Sequence, residues 1–312
     1  MSAIVAGTAA APAPSATRRP RGGLLRAVMH NRKAMLGAAL LFLFILLAAF
    51  PHLFVPWLHG DPRAIGDLPL EPPSGEHWLG TTGLGQDVYA ELIYSTRESL
   101  VIAIVAGLGA TILSVVIGVS AAYLGGLADD GLSMLTDIFL VLPTFPLIIV
   151  LATYAGKGNL TVIIIVLVAT GWSYGARQMR AQALSLRNRD FLESARVRGE
   201  RRSYIIVVEM LPTMTSLIVA NFLGAALYSV LTAAGLQFLG LGDPNSLSWG
   251  TMLYWAQNQG ALVNDLPAWA LSPGLAVALL GVSFALLNYA FDEISNPALR
   301  PVRRRRVKSA NS

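Results

Sequence analysis

The 312-residue chain contains no cysteine, which removes disulfides, thiolate nucleophiles and Cys-ligated metals from consideration. Histidine is nearly as scarce, with four at positions 30, 52, 59 and 77. None has the spacing of a metal-ligand pair, and all four are read as tail or loop residues. A phosphate-binding loop is missing too. The one Gly-Lys pair, Gly156-Lys157, is followed by Gly158 and lacks both the upstream glycine and the Ser/Thr such a loop needs. No nucleophile stands with a base, and no paired carboxylates occur inside the apolar segments. Charge is also thin, at 13% of residues, where soluble domains carry about a quarter. These absences argue against a self-contained ATPase, a disulfide-stapled domain and an intramembrane enzyme. The chain is expected to hold no cofactor or metal of its own.

What fills the chain instead is apolar. Hydrophobic residues make up 54% of it and the mean hydropathy is +0.57, as in a polytopic all-α membrane protein. Six segments reach the roughly 20 residues that cross a hydrocarbon core, near 33–54, 98–124, 132–155, 160–180, 213–239 and 271–291. Lysine and arginine number six in 18–33, eight in 177–202 and six in 300–308, together twenty of the chain's 23. Basic loops face the cytoplasm, so both termini are expected inside, and an even number of spans agrees. The net charge of +5 follows from this topology rather than from a nucleic-acid surface, because the arginines sit at segment ends and not in one patch.

Residues 1–32, rich in Ala and Pro before their basic end, are expected to form a disordered cytoplasmic tail. The run Ala34 to Phe50 is read as an uncleaved first span, since no small-residue cleavage site follows it. The chain then divides into a first helix with an external loop (33–97), a transmembrane domain (98–296) containing a cytoplasmic loop (181–212), and a basic tail (297–312). The terminal arginines suit an anchor beside anionic lipid.

The stretch Arg177 to Pro212 carries eight arginines, each costing roughly 2.5–3.5 kcal/mol in lipid, and so reads as a cytoplasmic loop. Phe191 to Arg198 can form two helical turns. Gly199 can supply the left-handed residue that ends them. Ser194 and Ala195 are small enough for another protein to approach, and Leu211-Pro212 suits the start of the next helix. The order Glu193-Ser194-Ala195, three residues, Gly199, nine residues and Leu211-Pro212 resembles the "EAA" loop of ABC-importer permeases. Ser194 replaces the first alanine of that motif, and Glu209 stands where isoleucine is usual. Leu79-Gly80-Thr81, Leu84-Gly85, Asp87-Val88 and Ile93-Tyr94 through Leu100 resemble the dipeptide/oligopeptide branch, with Gln86 in place of its arginine. Tyr123 through Asp137 and Phe238 through Leu253 resemble it as well. The stretch Asn288 to Pro297 departs from the branch, which weakens any claim of peptide as cargo.

This resemblance, over about residues 77–300, implies a type I ABC-importer permease fold in the cell membrane of a prokaryote. It also implies partners: a second homologous permease, two cytoplasmic ATPases that hold ATP and Mg, and an external substrate-binding protein. By the same resemblance Asp190, Phe191, Glu193, Ser194, Ala195, Gly199, Leu211 and Pro212 would couple the chain to the ATPase. The cargo would be di- or oligopeptides, with cello- or xylo-oligosaccharides or nickel as alternatives. A secondary ion-coupled carrier is the rival class, but it would need ionisable groups near mid-membrane, and the spans hold almost none.

Further expectations concern the spans themselves. Pro143 and Pro146 should kink the third beside a pathway. Asp129-Asp130 reads as a solvated turn and Asp137 as a hydrated structural carboxylate. Phe145, Asn221, Tyr228 and Thr232 are candidates for the translocation path. Trp249, Trp255 and Trp269 suit the external membrane interface.

The topology is testable because no native cysteine has to be removed. Single cysteines at Ser15, Ser185 and Ser309 should be shielded from an impermeant thiol reagent in intact cells, whereas cysteines at Ser74 and Ser246 should react. Reversal at any one site overturns the six-span arrangement.

Overall fold

The computed structural model describes residues 31–56, 61–65, 67–154 and 159–295, with side chains described through Phe291. Apart from residues 31 and 32, the two basic tails lie outside these residues, as do His30, His59 and Lys157 and the side chains of the 292–297 stretch. Helices dominate, and among the described residues the only β pairing is an isolated bridge between Thr81 and Asp87. In chain order they are α1 (Arg32–Ala49), α2 (Pro51–Phe54), α3 (Val88–Leu124), α4 (Gly126–Val141), α5 (Thr144–Tyr154), α6 (Leu160–Gly171), α7 (Ser173–Arg187), α8 (Asp190–Val197), α9 (Arg202–Tyr204), α10 (Thr215–Phe238), α11 (Trp249–Asn258) and α12 (Pro267–Ser295). A π-helical turn, Ile205–Met210, and a 3-10 turn, Leu211–Met214, join α9 to α10. Four helical stretches are long and apolar enough to cross a membrane, and two bent pairs, α4–α5 and α6–α7, raise the number to as many as six.

The long helix α3 is the hub, packing against α1, α6, α7 and α10. Small residues make the closest crossings possible. A Cβ on Gly107 would meet the Ala226 backbone of α10 at 2.9 Å, and one on Gly118 would meet the Ala176 carbonyl of α7 at 2.3 Å. One apolar core gathers α1, α3, α10, α11 and α12 around Phe44, Leu223, Trp249, Trp269 and Phe284. Trp249 and Trp269 are 1% and 0% exposed, so neither ring belongs to an interfacial belt. The Trp249 ring meets Phe44 edge-on at 5.5 Å, and its indole N–H donates 3.1 Å to the Leu92 carbonyl. A tryptophan able to satisfy its N–H, as Trp249 does, is as good a core residue as an interfacial one, and packing decides between them. Trp255 is half-buried and donates to the Pro244 carbonyl.

Several expected boundaries move. Helix α3 begins ten residues before the expected second span, capped by the Asp87 carboxylate, which accepts from Ala90 N–H at 2.8 Å. The third span is no kinked helix but two helices at 91°. Leu142, held extended before Pro143 (ψ 135°), ends α4 there, while Pro146 sits harmlessly in the first turn of α5. Asp129 and Asp130 lie in helix rather than in a turn, because α4 already starts at Gly126. The first part of the expected loop 177–212 is α7. The last span starts at Pro267, with Pro273 inside it.

A lid formed by residues 61–65 and 67–87 is tied to the 243–248 loop. The Arg63 guanidinium donates to the carbonyls of Asn245 and Ser246, and Gln86 Nε2 holds the Arg63 carbonyl at 2.9 Å. Gly80 and Gly85 have φ of +79° and +73°, and a Cβ on either would strike a backbone carbonyl, of Glu71 or Asp67, within 2.4 Å. The Leu79-Gly80-Thr81 and Leu84-Gly85 pairs therefore answer to backbone crowding. Ser246 has its Oγ buried, so a cysteine there would be shielded by packing whichever side it faces, and the expected reactivity at 246 is withdrawn from the topology test in favour of exposed Ser74.

His77 knots this lid together. Its Nδ1 lies 2.9 Å from Asp87, and its Nε2 lies 3.7 Å from Asp67 and 3.8 Å from Glu71. The hydrogen bond to Asp87 raises its pKa, burial opposes this, and the fields of Asp67, Asp87 and Glu71 add to the rise. A raised histidine stabilises the folded lid fully below its unfolded value of about 6.5 and loses that contribution as pH climbs through the folded value. Hydrogen exchange of residues 67–90 should therefore quicken as pH rises above about 6.5, beyond the intrinsic base dependence and relative to a His77→Gln variant. Equal profiles for the two proteins would show that His77 does not hold the lid.

Candidate coupling helix and cavity

Two features stand out, a short displayed helix at one end of the bundle and a cavity behind it. The short helix is α8, where the sequence places two turns at 191–198. Its first turn carries Asp190 and Glu193, which suit the positive end of the helix dipole. It ends in a Schellman motif: Gly199 N–H donates 2.9 Å to the Arg196 carbonyl, and Glu200 N–H donates 3.2 Å to the Ala195 carbonyl. Gly199 has φ +77°, and nothing lies within 4 Å of where its Cβ would stand. The position is strained for a side chain by its backbone alone.

Leu192 and Ala195 are fully buried in a second apolar core with Val119, Ala122, Tyr123, Met179, Ala183, Ile205, Met210 and Met214. Ala195 thus seats α8 on its own protein and offers nothing to a visitor. The displayed face holds Phe191, Glu193, Ser194 and Val197, the last 84% exposed. Nothing in the motif singles out Val197 or Leu192. Their spacing of five residues from a common helix, one inward and one outward, is the signal that separates them.

Arg196 and Arg198 are fasteners rather than free charges. Arg196 lies over the Tyr123 ring at 5.7 Å and donates 2.8 Å to the Arg187 carbonyl. Arg198 pairs with Glu209 at 3.6 Å and Glu200 at 3.8 Å, which accounts for the glutamate where the motif usually has isoleucine. Leu211 and Pro212 do not begin the next helix. The helical path begins at Arg202, and the π turn carries it past Pro212 by letting Leu211 N–H reach back five residues to the Ile206 carbonyl. Leu211 packs on the α8 core, and Pro212 is exposed.

The cavity, about 520 Å³, opens where two helix breaks meet α10. Phe139, Leu140 and Thr144 line it from the α4–α5 corner, Thr170, Gly171, Ser173, Tyr174, Gly175 and Gln178 from the 41° bend between α6 and α7, and Asn288 from α12. Of the four path candidates, Asn221 and Tyr228 line it, while Phe145 and Thr232 do not. Phe145 rests beside Gly235, and Thr232 is buried. No lining residue is charged at neutral pH. At the bend, buried Ser114 donates 2.7 Å to the Trp172 carbonyl, and Gly175 leaves room for Asn221, whose Nδ2 would lie 2.3 Å from a Cβ there. Helix α7 is tied to α4 by Arg180, bidentate on Asp129 at 2.6 and 2.8 Å, and by exposed Arg177 on Asp137 at 2.6 Å. Among the described residues no three His, Cys, Asp or Glu side chains cluster to hold a metal.

Comparison with known proteins agrees with this architecture. Residues 114–300 match the family described as "Binding-protein-dependent transport system inner membrane component". The chain is 31% identical over 284 residues to the oligopeptide transport system permease protein OppC of Mycobacterium tuberculosis, covering 90% of this chain and 96% of that one. It is 29% identical over 272 residues to the dipeptide permease protein DppC of Alkalihalophilus pseudofirmus, with 86% and 87% covered. It is 34% identical over 247 residues to the nickel permease protein NikC of Escherichia coli K12, with 78% and 87% covered. The chain belongs to the inner-membrane permeases of binding-protein-dependent ABC importers, in their dipeptide/oligopeptide branch.

Proposed function

We propose that this chain is one of two permease subunits of an importer for di- or oligopeptides in a prokaryotic cell membrane. It crosses six times, with α4–α5 and α6–α7 each counted as one broken span and both termini inside. Residues 98–296 are the permease domain, to which 33–97 add a helix and the external lid. A separate pair of ATPases binds ATP and Mg and takes α8 into a groove. A loaded binding protein docks on the lid and the 240–270 loop. Oligosaccharide import by the same machine is the alternative, and the nickel permease among the relatives keeps an ion within the family's range.

The observation that carries this proposal is the seating of α8. Leu192 and Ala195 root it in the core while Phe191, Ser194 and Val197 are displayed, so a push on the displayed face would reach α7 and the cavity wall. On this reading Asp190, Glu193, Gly199, Leu211 and Pro212 shape the coupling element, and Phe191 and Ser194 meet the ATPase. Asn221 and Tyr228 line the translocation path. ATPase closure would open that path outward, and hydrolysis would reset it inward.

Gly199 tests the coupling. Since its Cβ site is open, a substitution costs what the left-handed backbone costs, roughly 1–2 kcal/mol for most side chains and less for asparagine. Gly199→Val should assemble normally and dock the binding protein, yet abolish the extra ATP hydrolysis that loaded binding protein elicits in proteoliposomes, and Gly199→Asp should do so through the charge it places on the displayed face of α8 rather than through the backbone. Gly199→Asn should keep most of that stimulation, and Ser194→Ala should be silent. Wild-type stimulation in Gly199→Val would remove α8 from the coupling path.

A further inference from the structure

A second cavity, about 360 Å³, opens at the far end of α3 from α8, where the start of α6, the end of α10 and the 243–248 loop meet. Its polar side is acidic. Glu98 of α3 and Asp243 of the loop both line it, and neither is ion-paired among the described residues. The field of Asp243 reaches Glu98, as does that of Arg63, but the Arg63 guanidinium is committed to the Asn245 and Ser246 carbonyls. Beside the carboxylates stands Gln237, 3% exposed, whose amide has no hydrogen-bond partner among the described residues. That amide is not sealed off, since it retains accessible surface where it lines the cavity. Close backbone fixes it there: a Cβ on Gly242 would lie 2.7 Å from its Cγ, and one on Gly250 would lie 2.4 Å from its Oε1. A buried amide without a partner asks for an explanation, and two like charges without a paired cation repel. One cation carrying N–H donors answers both.

We infer that this cavity receives a lysine or arginine side chain of the external binding protein when that protein docks. This rests on the permease assignment above and adds the contact chemistry of one partner. The 243–248 loop belongs to the surface on which that function places docking. The cavity matches such a side chain along its length. Leu160, Ile163 and Leu247 suit the aliphatic stem, and Glu98, Asp243 and the Gln237 amide oxygen suit the cationic head. A divalent metal ion fits less well, because no three His, Cys, Asp or Glu side chains cluster among the described residues, and hard cations take about six or more oxygens.

The test uses the complete importer, with its partner permease and ATPases, in proteoliposomes to which its own binding protein is added. Co-sedimentation measures docking at about 50 and about 300 mM sodium chloride, between which screening of exposed charges strengthens. Asp243→Asn and Glu98→Gln should each raise the concentration for half-maximal docking about tenfold at low salt, the effect of one hydrogen bond to a charged group. Both should also flatten its salt dependence. Asparagine at 243 can still accept from the Asn245 N–H, now held at 2.8 Å by Asp243 Oδ1, so the loop survives that change. Each surface lysine and arginine of the binding protein is then replaced by alanine. One such replacement should reproduce the loss and add little to Asp243→Asn. N-acetyl-argininamide should compete with docking, and neutral N-acetyl-glutaminamide should not. Unchanged docking in both permease variants, or no basic residue of the binding protein coupled to Asp243, overturns the inference. Docking abolished by a calcium chelator also overturns it, in favour of a metal site. Failure of the wild-type importer to dock its binding protein at all would instead sink the permease assignment on which the inference rests.

Discussion

Backbone groups in an apolar bundle must find partners inside the protein, and that requirement decides where these helices can break. The three breaks are each met differently. At the α4–α5 corner Leu142 is extended before Pro143, and its N–H returns to the Ile138 carbonyl. At the α6–α7 bend the Trp172 carbonyl accepts from Ser114 Oγ as well as from Ala176 N–H. Ahead of α10 a π turn shifts the register so that Pro212, which has no N–H, passes without ending the helix. Two of these breaks open the cavity, and the third lies against the core that seats α8.

Helix α7 connects those places. Its N-terminal turns line the cavity through Ser173, Tyr174, Gly175 and Gln178, and its C-terminal end leads through Asn188 and Arg189 into α8. Along its length Arg180 and Arg177 bind it to α4. The Asp129 pair, bidentate and partly buried, holds more than the exposed Asp137 pair, which solvent screens. Under the proposed function, force arriving at α8 therefore has a short and stiff route to the cavity wall.

Much of the architecture was legible from local pattern. Apolar segments of spanning length, basic residues at their ends and Pro143 in the third all describe properties of short stretches, as does Gly199 after two helical turns. The helix end at Gly199 is legible for a particular reason: a left-handed residue followed by an N–H that reaches back to Ala195 needs nothing from the rest of the chain. Other features were misjudged because they depend on what lies across the fold. Ala195 has the small size of a docking residue, yet Tyr123, Met179 and Met210 cover it. Trp249 and Trp269 look interfacial by position along the chain, yet Phe44 and the α12 core enclose them. Glu209 had no role until Arg198 was found beside it.

By itself, then, the sequence determined that this protein is a helical membrane chain, because hydrophobic length acts residue by residue. It also determined the α8 turn, because its caps are local. Tertiary structure alone decided which face of α8 is displayed and which tryptophans are buried. It decided that Asn221 and Asn288, 67 positions apart in the chain, share a neutral wall. Those outcomes follow from how α3, α7, α10 and α12 cross, and crossings are set by contacts between distant residues that no window of the sequence contains.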